Sequence, residues 1–307
     1  MPERHSIGVV GARGHTGGEL LRLLSAHPNA DVAYAGSREL AGEPVPALDG
    51  LVFGDLDAEG VAGLGLDAVV LALPNGVSEP FVEAMSPDTI IIDISADHRF
   101  DDAWAYGLPE LNRDKIAGAR RVANPGCYAT AAQLTIAPFL DTLEGVPAVF
   151  GVSGYSGAGT TPSPKNDPER LSDNLLPYTL VGHTHERETT RPLGPEVRFM
   201  PHVHPTFRGL LVTSHIPVGP PITADEAMQR VRLSYENEPL VDIQDDIPEL
   251  RDGQGRNGVL IGGVEVSADE RNVVVVAVED NLLKGAAVQA IQNLNLCLGI
   301  DEFTALT

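Results

Sequence analysis

The hydrophobic residues in the first half of the chain form short unbroken runs that alternate with helical spacings. Four runs predict strands buried on both faces, because such strands lack a regular polar alternation: SIGVV (6–10), VAYAG (32–36), DAVVLALP (67–74) and TIIIDIS (89–95). Leucines at helical spacing in GGELLRLLSAH predict a helix after the first run, and SEPFVEAM predicts a short one after the third. Alternating strands and helices indicate an α/β fold with a doubly wound parallel sheet.

The pattern changes after about residue 146. Five strand-like runs then follow with one clear helix, TADEAMQRVRLSYENE (223–238), among them: AVFGVSGYSGAG, VRFMPHVH, GLLVTSHIPV, VLIGGVEVS and NVVVVAVED. Turn residues between the last two runs predict a hairpin. We therefore predict a Rossmann-type domain over 1–145, joined by a C-terminal helix at 282–307. An α+β domain with a mostly antiparallel sheet covers 146–281.

Composition narrows the class of protein. The chain has 307 residues, 43% of them hydrophobic, but no uncharged apolar run of about 18 residues that would predict a membrane span. Its N-terminus lacks the long apolar region of a signal peptide, which predicts a cytoplasmic protein. The two cysteines provide no disulfide framework and no CxxC metal pair.

The charge is strongly acidic, with 43 acidic and 21 basic residues and a formal net charge of −22. No stripe of lysine and arginine is available to neutralise phosphates, which argues against nucleic-acid binding. An anionic small molecule would need a site that collects the scarce arginines locally.

A glycine turn, GVVGARGHTGGEL, joins the first strand to the first helix. Its GxxGxxG spacing differs from the usual GxGxxG fingerprint, but a tight turn at a helix N-terminus equally suits a pyrophosphate. A purely structural turn is the alternative. The candidate cofactor contacts here are Gly11, Arg13, Gly14, His15, Thr16 and Gly17.

The end of the second strand bears on the choice between NAD and NADP. A free ribose 2′-hydroxyl usually meets an acidic residue there, whereas a 2′-phosphate needs a cation and hydroxyl donors. Ser37 and Arg38 occupy this position and favour NADP, although Glu39 is adjacent and a solvated arginine is the alternative. Pro74, after the third strand, is a further candidate cofactor contact.

Cys127 follows Asn-Pro-Gly and precedes a helical pattern, CYATAAQLTIAPFL. A cysteine at a helix N-terminus is favoured as thiolate by the unpaired amides and the helix dipole. It can attack a carbonyl while the same amides hold the oxyanion. We interpret Cys127 as a nucleophile, with a space-filling role as the alternative, and Cys297 as a core residue.

Two histidine pairs could supply the base for such a thiol: His183 with His185, and His202 with His204. No carboxylate or cysteine motif completes a zinc set, so we expect no metal. Residue chemistry alone does not choose among the four histidines.

Eight segments occur in the order found in the N-acetyl-γ-glutamyl-phosphate reductase family, which the chain resembles over essentially its whole length. They are GARGHTGGEL, SADHRF, YGLPEL, ANPGCYATA, GVSGYSGAGTTPSPKND, GHTHERE, RGLLVT and DNLLKGAAVQAIQN. The resemblance implies an NADPH-dependent enzyme of arginine biosynthesis, related to aspartate-semialdehyde dehydrogenase. Its substrate would be a small acyl phosphate, its second product inorganic phosphate, and its assembly a homodimer or homotetramer.

The resemblance also implies roles for individual residues. Cys127 would be the nucleophile that forms a thioester, and His183 the acid/base group, with His185 as the fallback. Asn281 and Gly285 would contact the cofactor, and "PHVHP" would be structural. Candidate substrate contacts are Arg99, Asn124, Ser153, Gly154, Ser156, Glu186 and Arg208. Lys165 is either a substrate contact or an exposed lysine.

Three other functions compete with this interpretation. The first is a related reductase, either aspartate-semialdehyde dehydrogenase or an enzyme acting on a carrier-linked aminoadipyl phosphate. The second is a non-catalytic NADP-binding regulator, and the third is a metal hydrolase built on the histidine pairs.

Overall fold

The computed structural model describes residues 4–46 and 48–307. The strands are β1 His5–Val10, β2 Ala30–Gly36, β3 Ala68–Leu71, β4 Ile90–Asp93, β5 Ala105–Tyr106, β6 Arg121–Ala123, β7 Ala148–Gly154, β8 Leu176–Pro177, β9 Arg198–His204, β10 Leu210–Pro217, β11 Val241–Ile243, β12 Val259–Val266 and β13 Asn272–Glu279. The α-helices are α1 His15–Ser25, α2 Ala58–Ala62, α3 Glu79–Ala84, α4 Pro109–Ile116, α5 Cys127–Ile136, α6 Pro168–Leu171, α7 Thr184–Leu193, α8 Ala224–Ser234 and α9 Val288–Leu298. A π-helical turn, Leu283–Ala287, precedes α9.

The chain divides into two compact units. Unit 1 comprises Met1–Gly126 and Ala286–Thr307, and unit 2 comprises Cys127–Gly285. The sheet of unit 1 has the order β2-β1-β3-β4-β6-β5 with parallel neighbours throughout. Its central strands β3 and β4 are fully buried, as the unbroken hydrophobic runs predict, and are aliphatic except for Asp93 at the end of β4. The strand order reverses between β1 and β3, and ligands of such sheets bind outside the carboxyl ends of the strands at this point.

Helix α9 belongs to unit 1 and is buried on all sides, although it contains several amide side chains. Gln289 and Asn293 donate to the Gly107 carbonyl oxygen at 2.7 and 2.9 Å, which satisfies these buried donors. Cys297 is buried on the same helix, and burial raises the pKa of its thiol to about 12. The prediction that Cys297 is a core residue is confirmed.

Unit 2 contains a seven-stranded sheet of order β11-β12-β13-β10-β7-β9-β8. Most neighbours are antiparallel, but β7 pairs with β9, and β11 with β12, in parallel, so the sheet is mixed. The predicted hairpin is present as β12 and β13. Helices α5 and α8 contribute to a hydrophobic core with one face of this sheet.

The opposite face of the sheet is only partly covered. We call it the open sheet face, and it consists of Phe150, Val152, Met200, His202 and Leu211, which alternate along their strands with buried residues. Both predicted fold classes, the doubly wound parallel sheet and the α+β unit, are confirmed. In the part of the chain that the structure describes, no helix is both long and apolar enough to span a bilayer.

Candidate active site

The glycine turn of unit 1 is shaped by contacts that a side chain would prevent. Gly11 has φ +82°, and a Cβ there would lie 2.2 Å from the carbonyl oxygen of Ala72. A Cβ on Gly17 would lie 2.5 Å from the Gly11 carbonyl oxygen. Gly14 is the N-cap of α1 and no side chain caps the helix, so its first amides can face a ligand. The turn that contains Gly11, Gly14 and Gly17, which we call the cradle, therefore fits a pyrophosphate at a helix N-terminus.

Substituting alanine for Gly11 should weaken dinucleotide binding at least tenfold, because the turn must shift to relieve the clash with Ala72. A titration of intrinsic fluorescence with NADPH measures this. Gly18→Ala is the matched control: its Cβ meets no atom within 4 Å, so it should leave binding intact and stabilise α1 by about 0.5–1 kcal/mol. Equal affinity of both variants would contradict the assignment of the turn.

Glu39, the acidic residue next to Ser37 and Arg38, is paired with an arginine. Glu39 accepts a hydrogen bond from Arg13 at 2.6 Å, so its charge is offset. Arg38 is highly exposed, with its Nε 3.6 Å from Asp55. The Ser37 hydroxyl accepts from the Leu40 amide at 3.2 Å. An exposed cation beside a hydroxyl is suited to a 2′-phosphate.

The loop after β3 is joined to the loop after β4 by a carboxylate. Pro74 opens the first loop, and Asp97 in the second accepts from the Gly76 amide at 2.7 Å and from the Ser78 hydroxyl at 2.8 Å. Burial opposes ionisation of Asp97, but these hydrogen bonds outweigh it and lower the pKa of the carboxyl. Both loops lie at the carboxyl edge of the sheet, where their relative position is thus fixed.

Arg99 and Asn124, two predicted substrate residues, are brought together in unit 1. The Arg99 side chain donates to the carbonyl oxygens of Asn124 at 2.9 Å and Ile94 at 2.7 Å. Asn124 is fully buried, donates to the Ala286 carbonyl oxygen at 3.3 Å and accepts from Asn293 at 3.0 Å. Arg99 is 9% exposed, so little of its surface reaches solvent.

His98, beside Arg99, is held between two carboxylates that the sequence interpretation did not single out. Its Nδ1 lies 2.7 Å from Asp93 and its Nε2 3.0 Å from Glu79, while Trp104 stacks on the ring at 4.0 Å between centroids. Burial lowers the pKa of His98, but the hydrogen bonds and charges of both carboxylates outweigh burial and raise it. The only sequence feature that points to this network is Asp93, a charged residue at the end of a buried strand.

This network predicts a pH-dependent stability difference. A raised pKa in the folded state means that charged His98 stabilises the fold below pH about 6.5, and that this contribution is lost as pH rises through the folded pKa. His98→Asn should therefore lower Tm more at pH 5.5 than at pH 8.5, by differential scanning fluorimetry. His215→Asn, on an exposed position of β10, is the control. If His98→Asn lowered Tm equally at both pH values, the result would contradict a charged His98.

Cys127 is the first residue of α5 in unit 2 and is partly exposed, so the predicted position at a helix N-terminus is confirmed. Gly285 lies directly against it: a Cβ on Gly285 would lie 2.6 Å from the Cys127 Cβ and 2.9 Å from an oxygen of buried Glu279. Glycine at 285 thus leaves room for the nucleophile. Its predicted cofactor contact stays a prediction.

The two histidines of "HTHERE" have different environments. His183 is the N-cap of α7, and its Nδ1 accepts from the His185 amide at 3.1 Å. Burial lowers the pKa of His183 to about 4, with the nearby charge of Lys165 adding to the effect and Glu186 opposing it. His185 lies with its Nε2 3.9 Å from the carboxylate of Glu188, which is buried.

Two tyrosines complete the surroundings of Cys127. Tyr128 is buried, donates to the His202 carbonyl oxygen at 2.7 Å and meets the His185 ring edge-on at 5.8 Å. Tyr178 meets the His183 ring edge-on at 5.4 Å. Burial raises the pKa of Tyr178 well above its usual range, and the charge of Cys127 raises it further. Cys127 and both histidines therefore lie near the same two tyrosine rings of unit 2.

The remaining predicted residues of unit 2 form a hydrogen-bonded cluster. The Asn281 amide accepts from the Gly209 N–H and donates to the Ser156 hydroxyl, both at 2.9 Å. A Cβ on Gly154 would lie 2.7 Å from the Phe207 carbonyl oxygen, and the Ser153 hydroxyl donates to the Gly154 carbonyl oxygen at 3.2 Å. Asn281 therefore has internal partners for both ends of its amide.

Arg208 and Glu186 also have partners within unit 2. Arg208 lies 3.3 Å from fully buried Asp280. Glu186 accepts from the amides of Gly182 at 3.3 Å and Phe199 at 3.1 Å, and so fixes the start of α7 to β9. Their substrate contacts stay predictions. Among residues 4–46 and 48–307, no three histidine, cysteine or carboxylate side chains converge in a cluster able to hold a metal ion.

Two family models match the chain. One is described as the NAD binding domain of semialdehyde dehydrogenase and matches residues 6–119. The other is described as the semialdehyde dehydrogenase dimerisation domain and matches residues 127–281.

Curated relatives match over nearly full length. The chain is 54% identical to N-acetyl-gamma-glutamyl-phosphate reductase of Xanthomonas euvesicatoria pv. vesicatoria (strain 85-10) over 312 residues, covering 99% of each chain. It is 52% identical to the protein of that name from Stenotrophomonas maltophilia (strain R551-3), covering 98% of each chain.

Solved structures of the same fold include aspartate semialdehyde dehydrogenase II from Vibrio cholerae complexed with ASA, with a TM-score of 0.80 at 19% identity. The aspartate semialdehyde dehydrogenase with NADP from Candida albicans gives a TM-score of 0.75 at 17% identity. Each alignment covers 97% of this chain and 99% of the other. At these identities the likeness establishes the two-domain fold.

Proposed function

The chain belongs to the N-acetyl-gamma-glutamyl-phosphate reductase family, and we propose that it reduces N-acetyl-γ-glutamyl phosphate to N-acetylglutamate 5-semialdehyde with release of phosphate, in arginine biosynthesis. The observation that carries the proposal is Cys127 at the first residue of α5, with His183 and His185 packed against the neighbouring tyrosines Tyr178 and Tyr128. The full-length similarity to the curated reductases supports the choice of substrate.

NADPH is the proposed cofactor. The cradle of Gly11, Gly14 and Gly17 would hold its pyrophosphate, while Ser37 and Arg38 would bind the 2′-phosphate. When bound, NADPH supplies the hydride that converts an acyl group to an aldehyde.

Cys127 begins the reaction as a thiolate. Its sulfur attacks the acyl carbonyl carbon, the bond from that carbon to the phosphate oxygen breaks, and phosphate leaves with the electron pair. The acyl group is then held on Cys127 as a thioester. Amides at the start of α5 stabilise both the thiolate and the oxyanion that forms during attack. After hydride addition the carbon–sulfur bond breaks, releasing the aldehyde and regenerating the thiolate.

For the acid/base role we favour His185 over the histidine that the family resemblance suggested. His183 uses Nδ1 to cap α7, and its pKa of about 4 makes it a weak proton acceptor. The Nε2 of His185 lies 3.9 Å from Glu188, a buried carboxylate whose negative charge would favour a protonated imidazole. His185 would take the Cys127 proton to form the attacking thiolate, and would return it to the thiolate that is released when the carbon–sulfur bond breaks.

Arg99 and Asn124 are the proposed phosphate-side residues, because they are hydrogen-bonded to each other at the carboxyl end of the parallel sheet. Ser153, Gly154, Ser156, Glu186 and Arg208 are kept as proposed substrate contacts of unit 2. Asn281 and Gly285 are kept as proposed cofactor contacts.

A homodimer or homotetramer is the proposed assembly. The open sheet face presents Phe150 and neighbouring apolar residues, and unit 2 matches a family model described as a dimerisation domain. Light scattering coupled to size exclusion should give a mass above that of one chain. A cytoplasmic location is proposed from the biosynthetic role.

The reaction run in reverse tests the proposed function. The protein is mixed with N-acetylglutamate semialdehyde, NADP and phosphate, and the absorbance of NADPH is followed. Phosphate-dependent NADPH formation is expected with this substrate and not with aspartate semialdehyde. The opposite preference would make the chain an aspartate-semialdehyde dehydrogenase. No NADPH formation with either semialdehyde would contradict the proposed reductase function.

A further inference from the structure

Positive charge in unit 2 is largely neutralised by carboxylates. Arginines of this unit that form ion pairs include Arg198, Arg208, Arg230, Arg232, Arg251, Arg256 and Arg271. Arg208, the expected carboxylate-binding residue, is among them, and its partner Asp280 is fully buried. A guanidinium already paired in this way attracts an anionic ligand less strongly than an unpaired cation does.

Lys165 is different, because no carboxylate of the described residues lies within ion-pair distance of it. Its Nζ lies instead 4.9 Å from the centroid of the Tyr178 ring, over the aromatic face. Only three lysines occur in the chain, so an unpaired one inside an acidic protein is a scarce positive charge.

The ammonium lies near His183 and in the region of the proposed nucleophile Cys127. After burial, its charge is the next cause that lowers the pKa of His183. The Lys165 ammonium lies over the Tyr178 ring, and the same ring contacts the His183 ring edge-on. The charge of Cys127 helps to raise the pKa of Tyr178. Lys165, Tyr178, His183 and Cys127 therefore lie around one small region of unit 2.

The loop that carries Lys165 is braced from within. Asn166 accepts from the Ser163 amide at 2.7 Å and donates to the carbonyl oxygens of Gly159 and Thr161, each at 2.9 Å. The Lys165 amide donates to the Ser163 hydroxyl at 3.3 Å. These hydrogen bonds hold the backbone next to Lys165, and they thereby restrict the positions that its side chain can reach.

We propose that Lys165 binds an anionic oxygen group of the substrate, either its carboxylate or its phosphoryl group, beside Cys127. This inference rests on the proposed function, because that substrate carries both groups. Lys165 supplies the unneutralised charge that the paired Arg208 does not, and Tyr178 holds the ammonium in place.

Reverse-reaction kinetics test the inference, with semialdehyde and phosphate varied separately. Lys165→Met should raise the KM of one of the two about tenfold, with less than a threefold change in kcat. A higher KM for the semialdehyde identifies the carboxylate, and a higher KM for phosphate identifies the phosphoryl group. Lys165→Arg should recover most of the effect. Lys115→Met, which removes an exposed lysine from α4, should change neither KM.

A second measurement is independent of the reaction. Cys127 is alkylated with iodoacetate, an anion, and with neutral iodoacetamide, and the ratio of the two rates is compared among variants. Lys165→Met should lower this ratio about tenfold and Lys115→Met should leave it unchanged. Cys127→Ser verifies the labelled site.

The proposal requires both results. An unchanged alkylation ratio overturns the location of the charge, and unchanged KM values in an active enzyme overturn the substrate role. If wild-type protein shows no phosphate-dependent turnover, the proposed function fails, while the alkylation ratio still decides whether Lys165 attracts anions to Cys127.

Discussion

Cys127→Ser should reduce turnover by a factor on the order of 10⁴ or more, because a serine hydroxyl is not ionised at neutral pH and cannot form the thioester. The substitution is nearly isosteric at a partly exposed position, so the fold should be unaffected. Initial rates in the reverse assay measure the loss, and NADPH titration should give wild-type affinity.

Cys297→Ser is the control for this loss. Cys297 is buried and its thiol has a pKa of about 12, so its replacement should cost some stability while leaving kcat close to wild type. Normal turnover of Cys127→Ser would exclude covalent catalysis at that residue.

His185→Asn should lower kcat by about 10²–10⁴, the range expected when a positioned acid/base group is removed. His183→Asn should cost less than tenfold, because asparagine is a good N-cap and can accept from the His185 amide as the imidazole does. Initial rates in the reverse assay compare the two, and equal Tm values would show that both variants keep α7.

The pH profile separates the histidines further. A catalytic His183 with a pKa of about 4 would place no acid limb between pH 5 and 8. We expect His183→Asn to keep the wild-type shape of the pH profile in that range and His185→Asn to change it. The reverse pattern would return the acid/base role to His183.

The fold could be predicted from local pattern. Unbroken aliphatic runs such as TIIIDIS can only be buried strands here, and the glycine turn after β1 fixed the position of α1. The parallel pairing of β7 with β9 could not be foreseen, because β8 and α7 lie between them in sequence and no local signal specifies which strands pair.

The candidate site was only partly predictable. Cys127 carries a local signal, since Asn-Pro-Gly precedes a helical pattern and α5 begins at that residue. The roles of His183 and Glu186 depend on tertiary contacts: one caps α7 and the other binds the Phe199 amide. The Lys165 ammonium lies over the Tyr178 ring although it belongs to a separate loop, and no spacing in the sequence predicts this contact.

The most direct test of the central claim is the mass of the intact protein during the first half-reaction. N-acetyl-γ-glutamyl phosphate is generated in situ by a kinase and ATP, without NADPH. We expect a mass increase of one N-acetylglutamyl group on Cys127, removed by hydroxylamine or by adding NADPH, and absent in Cys127→Ser. Turnover with no adduct on Cys127 would contradict the account.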